Sequence, residues 1–145
     1  MVKAICLDAS ILVKLATAEP GAEMASQLVK DALQNGIRMV APFFYMAEVL
    51  SVLRRQVQRG LLVPGAADDA LDALFSLQVE EVSGVEMYRR AWEIAGALEM
   101  PTVYDAVYLA VAELRNATFW TADETLYRRA SDLGYVRLLG ADPGS

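Results

Sequence analysis

Residues 3–15 spell KAICLDASILVKL. A short apolar run ends abruptly at Asp8, and apolar residues return at Ile11, Leu12, Val13 and Leu15 behind Ser10. The first run is strand-like and the second helical, so the stretch reads as a strand, an acid at its carboxyl end, and a helix. The same alternation continues along the chain. It predicts an α/β domain in which helices cover a parallel sheet.

Working outward, a second helix runs from Gly21 to about Asn35 and is closed by Gly36. Residues 37–40, IRMV, form a second strand, and Pro42 then suits the first turn of a helix that reaches Arg59 and stops at Gly60. Pro64 opens another helix, with Ala67, Leu71, Leu74 and Phe75 as its apolar face. Residues 79–82 form a third strand, Val85–Leu98 a helix, and Thr102–Asn116 a further one. Residues 117–121, ATFWT, form a strand, a helix follows through Leu133 to Gly134, and residues 136–139 form the last strand. The expected organisation is one domain over residues 1–140 with a loose tail at 141–145. No internal repeat or linker interrupts it.

The bulk composition narrows the chemistry. The 145 residues are 55% hydrophobic, carry a formal net charge of −6, and include one cysteine and no histidine. No apolar run approaches the roughly 18 residues of a membrane span. Asp8 follows the first apolar residues at once, which a secretory leader would not show. A lone Cys6 cannot form an internal disulfide, which suits a reducing cytoplasm. Without histidine there is no Ser–His–Asp or Cys–His nucleophile and no imidazole-ligated zinc. The negative charge argues against broad electrostatic binding of nucleic acid.

Four acids stand out by position. Asp8 directly follows the first strand, and Asp123 lies two residues past ATFWT. Asp105 sits in the first turn of the helix opened by Thr102, and Glu48 lies two turns into the helix after the second strand. Ligands of open parallel sheets gather beyond the carboxyl ends of the strands. Each Asp also has a plain structural explanation as a cap or first-turn acid, with Thr102-x-x-Asp105 and Thr121-x-x-Glu124 resembling capping boxes. Capping does not explain Glu48, the single charge in APFFYMAEVLSVL at 41–53. Asp105 is likewise the only charge in TVYDAVYLAVA at 102–112. Two nearly apolar helices with one carboxylate each suggest acids facing a shared cleft. Like charges about 4 Å apart repel by roughly 4 kcal/mol at an effective dielectric of 20. Hard divalent cations relieve that repulsion, and an all-oxygen donor set favours Mg²⁺ or Mn²⁺. Such a site hydrolyses phosphodiesters without histidine.

With these pieces in place, the chain resembles the PIN-domain family, and within it the VapC-type toxin ribonucleases. The matching segments are LDASILVKL at 7–15, APFFYMAEVLSVL at 41–53, TVYDAVYLAVA at 102–112 and FWTADETLYRRA at 119–130. The ordered set of four is the specific signal. The resemblance implies a three-layer α/β/α domain around a central parallel sheet. It implies that Asp8, Glu48, Asp105 and Asp123 bind Mg²⁺ or Mn²⁺ for RNA cleavage, with tRNA or rRNA as target. Ser10 and Thr121 match polar positions that support the site, although ordinary capping explains them equally well. Family members commonly pair with an antitoxin protein and form homodimers.

Other residues carry weaker readings. Arg55 and Arg59 fall within roughly 20° of Glu48's direction on their helix and could hold RNA phosphates, or simply end a solvated helix. Lys14 could contact substrate or water. Tyr45, Tyr104 and Tyr108 lie near the acids but are read as core or dimer contacts. Trp92 and Trp120 are read as core, Arg89–Arg90 and Arg128–Arg129 as surface pairs, and Cys6 as inert in a central strand. Three alternatives stand beside the toxin reading. One is a PIN nuclease of RNA maturation or decay, and another is an idle binding module of the same fold. The third, a response-regulator or dehalogenase-type phosphotransfer domain, lacks support because no second Asp follows Asp8 closely and no Lys occurs after Lys30.

Overall fold

A computed structural model describes residues 4–141. Five strands, β1 (Ala4–Leu7), β2 (Arg38–Pro42), β3 (Val79–Val82), β4 (Ala117–Thr121) and β5 (Val136–Leu138), form one sheet in the order β3-β2-β1-β4-β5. Every pairing is parallel. Seven helices connect them: α1 (Ala9–Ala16), α2 (Ala22–Gln34), α3 (Tyr45–Gln58), α4 (Pro64–Phe75), α5 (Val85–Ala97), α6 (Tyr104–Leu114) and α7 (Glu124–Ala130). A single turn of 3₁₀ helix, Ser131–Leu133, follows α7.

The central strand β1 is buried along its whole length, which its unbroken apolar sequence requires. On one face α1 packs against α2, α3 and α4; on the other, α5 packs on α6, which lies against β1, β2 and β4. Right-handed crossovers produce this division, because the chain moves outward from β1 to β3 and then returns past β1 to β4. The result is the three-layer α/β/α arrangement that the sequence predicts. Helix α6 is buried from Ala106 through Ala112, so its run of apolar residues is the core of its layer. Among the described residues no helix is long and apolar enough to cross a membrane.

Several local expectations change. Pro42 does not open α3; it ends β2, opposite Val82. The ladder's next bond is made by the Phe43 amide to the Val82 carbonyl at 2.9 Å, so proline's missing N–H is not needed there. Helix α6 starts at Tyr104, and its N-cap, Val103, makes no side-chain capping bond. The Thr102-x-x-Asp105 capping box is therefore not formed. On α4, Ala70 and Leu74 turn inward while Phe75 is exposed. Trp92, read as core, is 75% exposed on the outer face of α5. Trp120 is half-buried on β4. Of the tail expected at 141–145, all but Ala141 lies outside the described residues, as does Lys3 of the first strand.

Candidate active site

The order of the strands reverses between β1 and β4, and their carboxyl ends flank a crevice, the usual ligand position in open α/β sheets. Asp8 leaves β1 at this point. Its amide donates to the Trp120 carbonyl of β4 at 3.2 Å, which ties the two strand ends together. The side chain does three things at once. Oδ1 accepts from the Ile11 amide at 3.2 Å, capping α1, and from the Ser10 hydroxyl at 2.5 Å. Oδ2 accepts from the Thr121 hydroxyl at 2.5 Å. The capping explanation for Asp8 is thus correct as geometry, but one oxygen and a hydroxyl from β4 lie beyond what capping requires.

Ser10 and Thr121 are each used twice. Ser10 Oγ also accepts from the Ala122 amide at 3.1 Å, and Thr121 Oγ1 from the Asp123 amide at 3.0 Å. Both hydroxyls therefore link Asp8 to the loop that carries Asp123. That loop ends where Asp123 caps α7, accepting from the Leu126 amide at 3.1 Å. Thr121 is fully buried, and Asp8 is only 7% exposed. Burial pushes the Asp8 carboxyl up to about 6, against the hydrogen bonds from Ser10, Thr121 and Ile11, with the Asp105 charge adding to the rise.

Glu48 reaches the crevice from the first turn of α3. Its partner is not an arginine: Oε1 accepts from the Tyr108 hydroxyl at 2.7 Å. Burial raises the Glu48 pKa, the Tyr108 bond opposes the rise, and the Asp105 charge adds to it. Asp105, in the first turn of α6, also has its pKa raised, first by loss of water in the crevice and then by Asp123, while Arg129 on α7 lowers it. Asp105 is therefore the common electrostatic neighbour of the other three acids.

Five side chains read as core, surface or possible RNA contacts fall as follows. Tyr108, read as core, is core indeed at 2% exposed, yet its hydroxyl holds Glu48. It lies three residues after Asp105 and so on the same helix face, a spacing from which its place could have been read. Arg129, read as surface, is exposed, but its charge acts on Asp105. Arg55 lines a groove beside Glu48, whereas Arg59 caps the end of α3 and does not. Lys14 is engaged elsewhere, its ammonium donating to the Pro20 carbonyl at 2.8 Å.

The donor set is all carboxylate and hydroxyl oxygen, with the sole thiol, Cys6, buried and its pKa raised by burial. Such a set fits a hard divalent cation. Among the described residues no three acidic or thiol side chains draw together closely enough to hold an ion directly between them.

Comparison with known proteins places this geometry in a family. The family model of the PIN domain matches residues 5–132. Over 102 residues, 69% of this chain and 73% of theirs, the sequence is 39% identical to the VapC ribonuclease Mb0985 of Mycobacterium bovis and to ribonuclease VapC9 of Mycobacterium tuberculosis. Ribonuclease VapC3 of Mycobacterium tuberculosis is 29% identical over 126 residues, 86% of this chain and 85% of its own. The crystal structure of PAE2754 from Pyrobaculum aerophilum has the same fold, with a TM-score of 0.66 over 92% of this chain and 82% of that one, at 21% identity. The chain therefore belongs to the PIN-domain family, as a domain of the VapC type.

Proposed function

We propose that this chain is a Mg²⁺- or Mn²⁺-dependent endoribonuclease, the toxin half of a toxin–antitoxin pair, that works in the cytoplasm on tRNA or rRNA. The observation that carries the reading is the convergence of carboxylates from four segments on one crevice, with the Asp105 charge felt by Asp8 and Glu48 and the Asp123 charge felt by Asp105. The VapC relatives, named as ribonucleases, support RNA as the substrate. In that reading Asp8, Glu48, Asp105 and Asp123 hold the cation. The ion supplies Lewis-acid activation of water and neutralises charge on the phosphodiester.

The chain's own residues do the positioning. Ser10, Thr121 and the Ile11 amide fix both oxygens of Asp8 before any ion arrives, and Tyr108 fixes one oxygen of Glu48. Oriented donors of this kind set a ligand's direction and are felt in its affinity. Asp105 and Asp123 are exposed, unlike Asp8, and so are open to an incoming RNA. Their mutual repulsion falls when a cation arrives, which couples ion binding to the stability of the crevice. An antitoxin and a second copy of the chain are the expected protein partners.

The test is cleavage of total tRNA and rRNA by the purified chain in Mg²⁺, Mn²⁺ or EDTA, beside Asp105→Asn. Discrete fragments that require metal and vanish in the variant are expected, and their ends name the target. If the chain neither cleaves RNA nor binds Mn²⁺, the enzyme reading fails and an idle binding module remains. An antitoxin gene immediately upstream separates the toxin from a nuclease of RNA maturation or decay.

A further inference from the structure

Beside the acidic crevice, between α1, α3 and the start of α6, lies an open groove of about 580 Å³. Glu48 forms part of its wall, so the groove is continuous with the crevice. Its other polar features are Ser51 and Arg55, both on α3, and its aromatic wall is Phe44 and Tyr104. The Tyr104 ring stands edge-on to Phe44, with centroids 5.9 Å apart, and the residue is 59% exposed. Phe44 is itself braced by Tyr108 at 6.0 Å, the same side chain whose hydroxyl holds Glu48. The aromatic wall is thus rigidly tied to a site carboxylate.

Arg55 shares its lack of a carboxylate partner among the described residues with Arg54, Arg59, Arg89, Arg129 and Arg137, but of these it is the arginine that lines this groove. Among the described residues it makes no ion pair or side-chain hydrogen bond, whereas Arg38, Arg90, Arg115 and Arg128 are all paired with glutamates. A free guanidinium two turns along α3 from Glu48 and an exposed aromatic face next to Asp105 make a complementary surface for one kind of ligand. Single-stranded nucleic acid presents a flat, unstacked base and an anionic linkage next to it, and proteins meet these with aromatic faces and arginine. A purely anionic partner would find only one positive charge here and would face Glu48.

Resting on the ribonuclease reading, we propose that this groove is a nucleobase subsite. It takes the base of a nucleotide adjacent to the scissile linkage, with Tyr104 as the stacking face and Arg55 on the neighbouring phosphate. It would make cleavage depend on an unpaired nucleotide at that position. Base identity would be read weakly, since every base offers a π-face and Ser51 already donates its hydroxyl to the Ala47 carbonyl at 2.7 Å.

The experiment measures binding of 2′-O-methyl hexanucleotides against an abasic hexanucleotide of equal charge, with electrophoresis after each titration to verify that the ligand is intact. Each is titrated on the full chain in Mg²⁺, on Tyr104→Ala, on Tyr104→Phe and on Arg55→Gln. The base-bearing oligonucleotides should bind about tenfold more tightly than the abasic one, within the range of base–aromatic stacking. That preference should collapse in Tyr104→Ala and persist in Tyr104→Phe. Arg55→Gln should weaken all ligands equally and flatten the salt dependence. Equal binding of abasic and base-bearing ligands by the unaltered chain overturns the subsite, as does a preference that survives Tyr104→Ala. If instead Tyr104→Ala changes only the oligomeric mass, or only inhibition by a protein partner, the groove is a protein contact and the proposal is wrong. Absence of RNA cleavage with the base preference intact would sink the nuclease reading alone; cleavage without the preference would sink the subsite alone.

Discussion

An ionised Asp8 has three donors and almost no water, and the balance between them sets its acidity. An unfolded aspartate titrates near 3.9, whereas folded Asp8 is held up to about 6. The fold therefore binds this proton more tightly than the unfolded chain does. For the metal-free chain, the stabilising contribution is complete below about pH 4 and is lost as pH rises through 6. A shift of this size corresponds to roughly 3 kcal/mol. In EDTA, Asp8→Asn should consequently be more stable than the parent at pH 7, by up to about 3 kcal/mol, with a flatter profile between pH 4 and 7. Urea unfolding across that range checks it, and an unchanged profile would refute the account. Tyr108→Phe is the second case. Removing one hydroxyl costs about 1 kcal/mol of stability by the usual worth of a hydrogen bond. It leaves the Glu48 carboxylate unsupported, so cleavage should drop by about tenfold while the fold survives. Tyr108→Ala should instead cost about 3–5 kcal/mol, because the ring is core. Normal cleavage by Tyr108→Phe would show that the phenol is there only for packing.

At the scale of elements, the crevice depends on where each helix begins. Helices α1 and α7 start at Asp8 and Asp123, so capping and the placement of the acids are the same act. Helix α6 starts without a side-chain cap, leaving Asp105 free of a backbone partner at its N-terminus. Helix α5, which supports α6 from outside, starts at Gly84 with φ 121° and ψ 166°, a conformation essentially reserved for glycine. Space is not the constraint there, since nothing lies within 4 Å of an added Cβ. Gly84→Ala should therefore destabilise by about 1–3 kcal/mol through backbone strain alone. Its cleavage activity at low temperature should match the parent, because α5 contributes no residue to the crevice. Unfolding midpoints and initial rates on the same preparation test both halves. The ion pair of Arg90 with Glu113, bonded at 2.7 and 3.2 Å, clamps α5 to α6 in addition.

Across the whole molecule, four acids lie around the carboxyl ends of the strands where the topology reverses, and their charges act on one another there. Bringing them together opposes folding, and a divalent cation that binds only the folded crevice should oppose it in return. At a hundred times its Kd, Mn²⁺ should add about 2.7 kcal/mol, or roughly 8 °C in Tm for a chain of this size. EDTA should reverse the gain and Asp105→Asn should remove most of it. An ion that leaves the Tm unchanged at saturating concentration would contradict the cation site.

Much of this was legible without coordinates. Four of the five strands lie within the expected stretches and β2 overruns its own by two residues into Pro42, because buried parallel strands and amphipathic helices leave different periodicities in the sequence. The four acids were legible for a related reason: each is a charge at a strand end, or alone in an apolar run, where solvation would not otherwise put one. Local pattern stops at the reach of neighbouring residues. It put Pro42 in a helix, because proline suits both a first helical turn and a strand end whose N–H is unused, and only the pairing with β3 decides. It put Trp92 in the core, because aromatic character does not say which face of α5 meets α6. It could not join Tyr108 to Glu48, 60 residues apart, nor Thr121 to Asp8, 113 apart. The sequence by itself determined the elements and the chemistry of the donors. Tertiary structure alone decided which donors meet, because contact between distant segments follows from strand order and helix packing, and neither is written in any local run of residues.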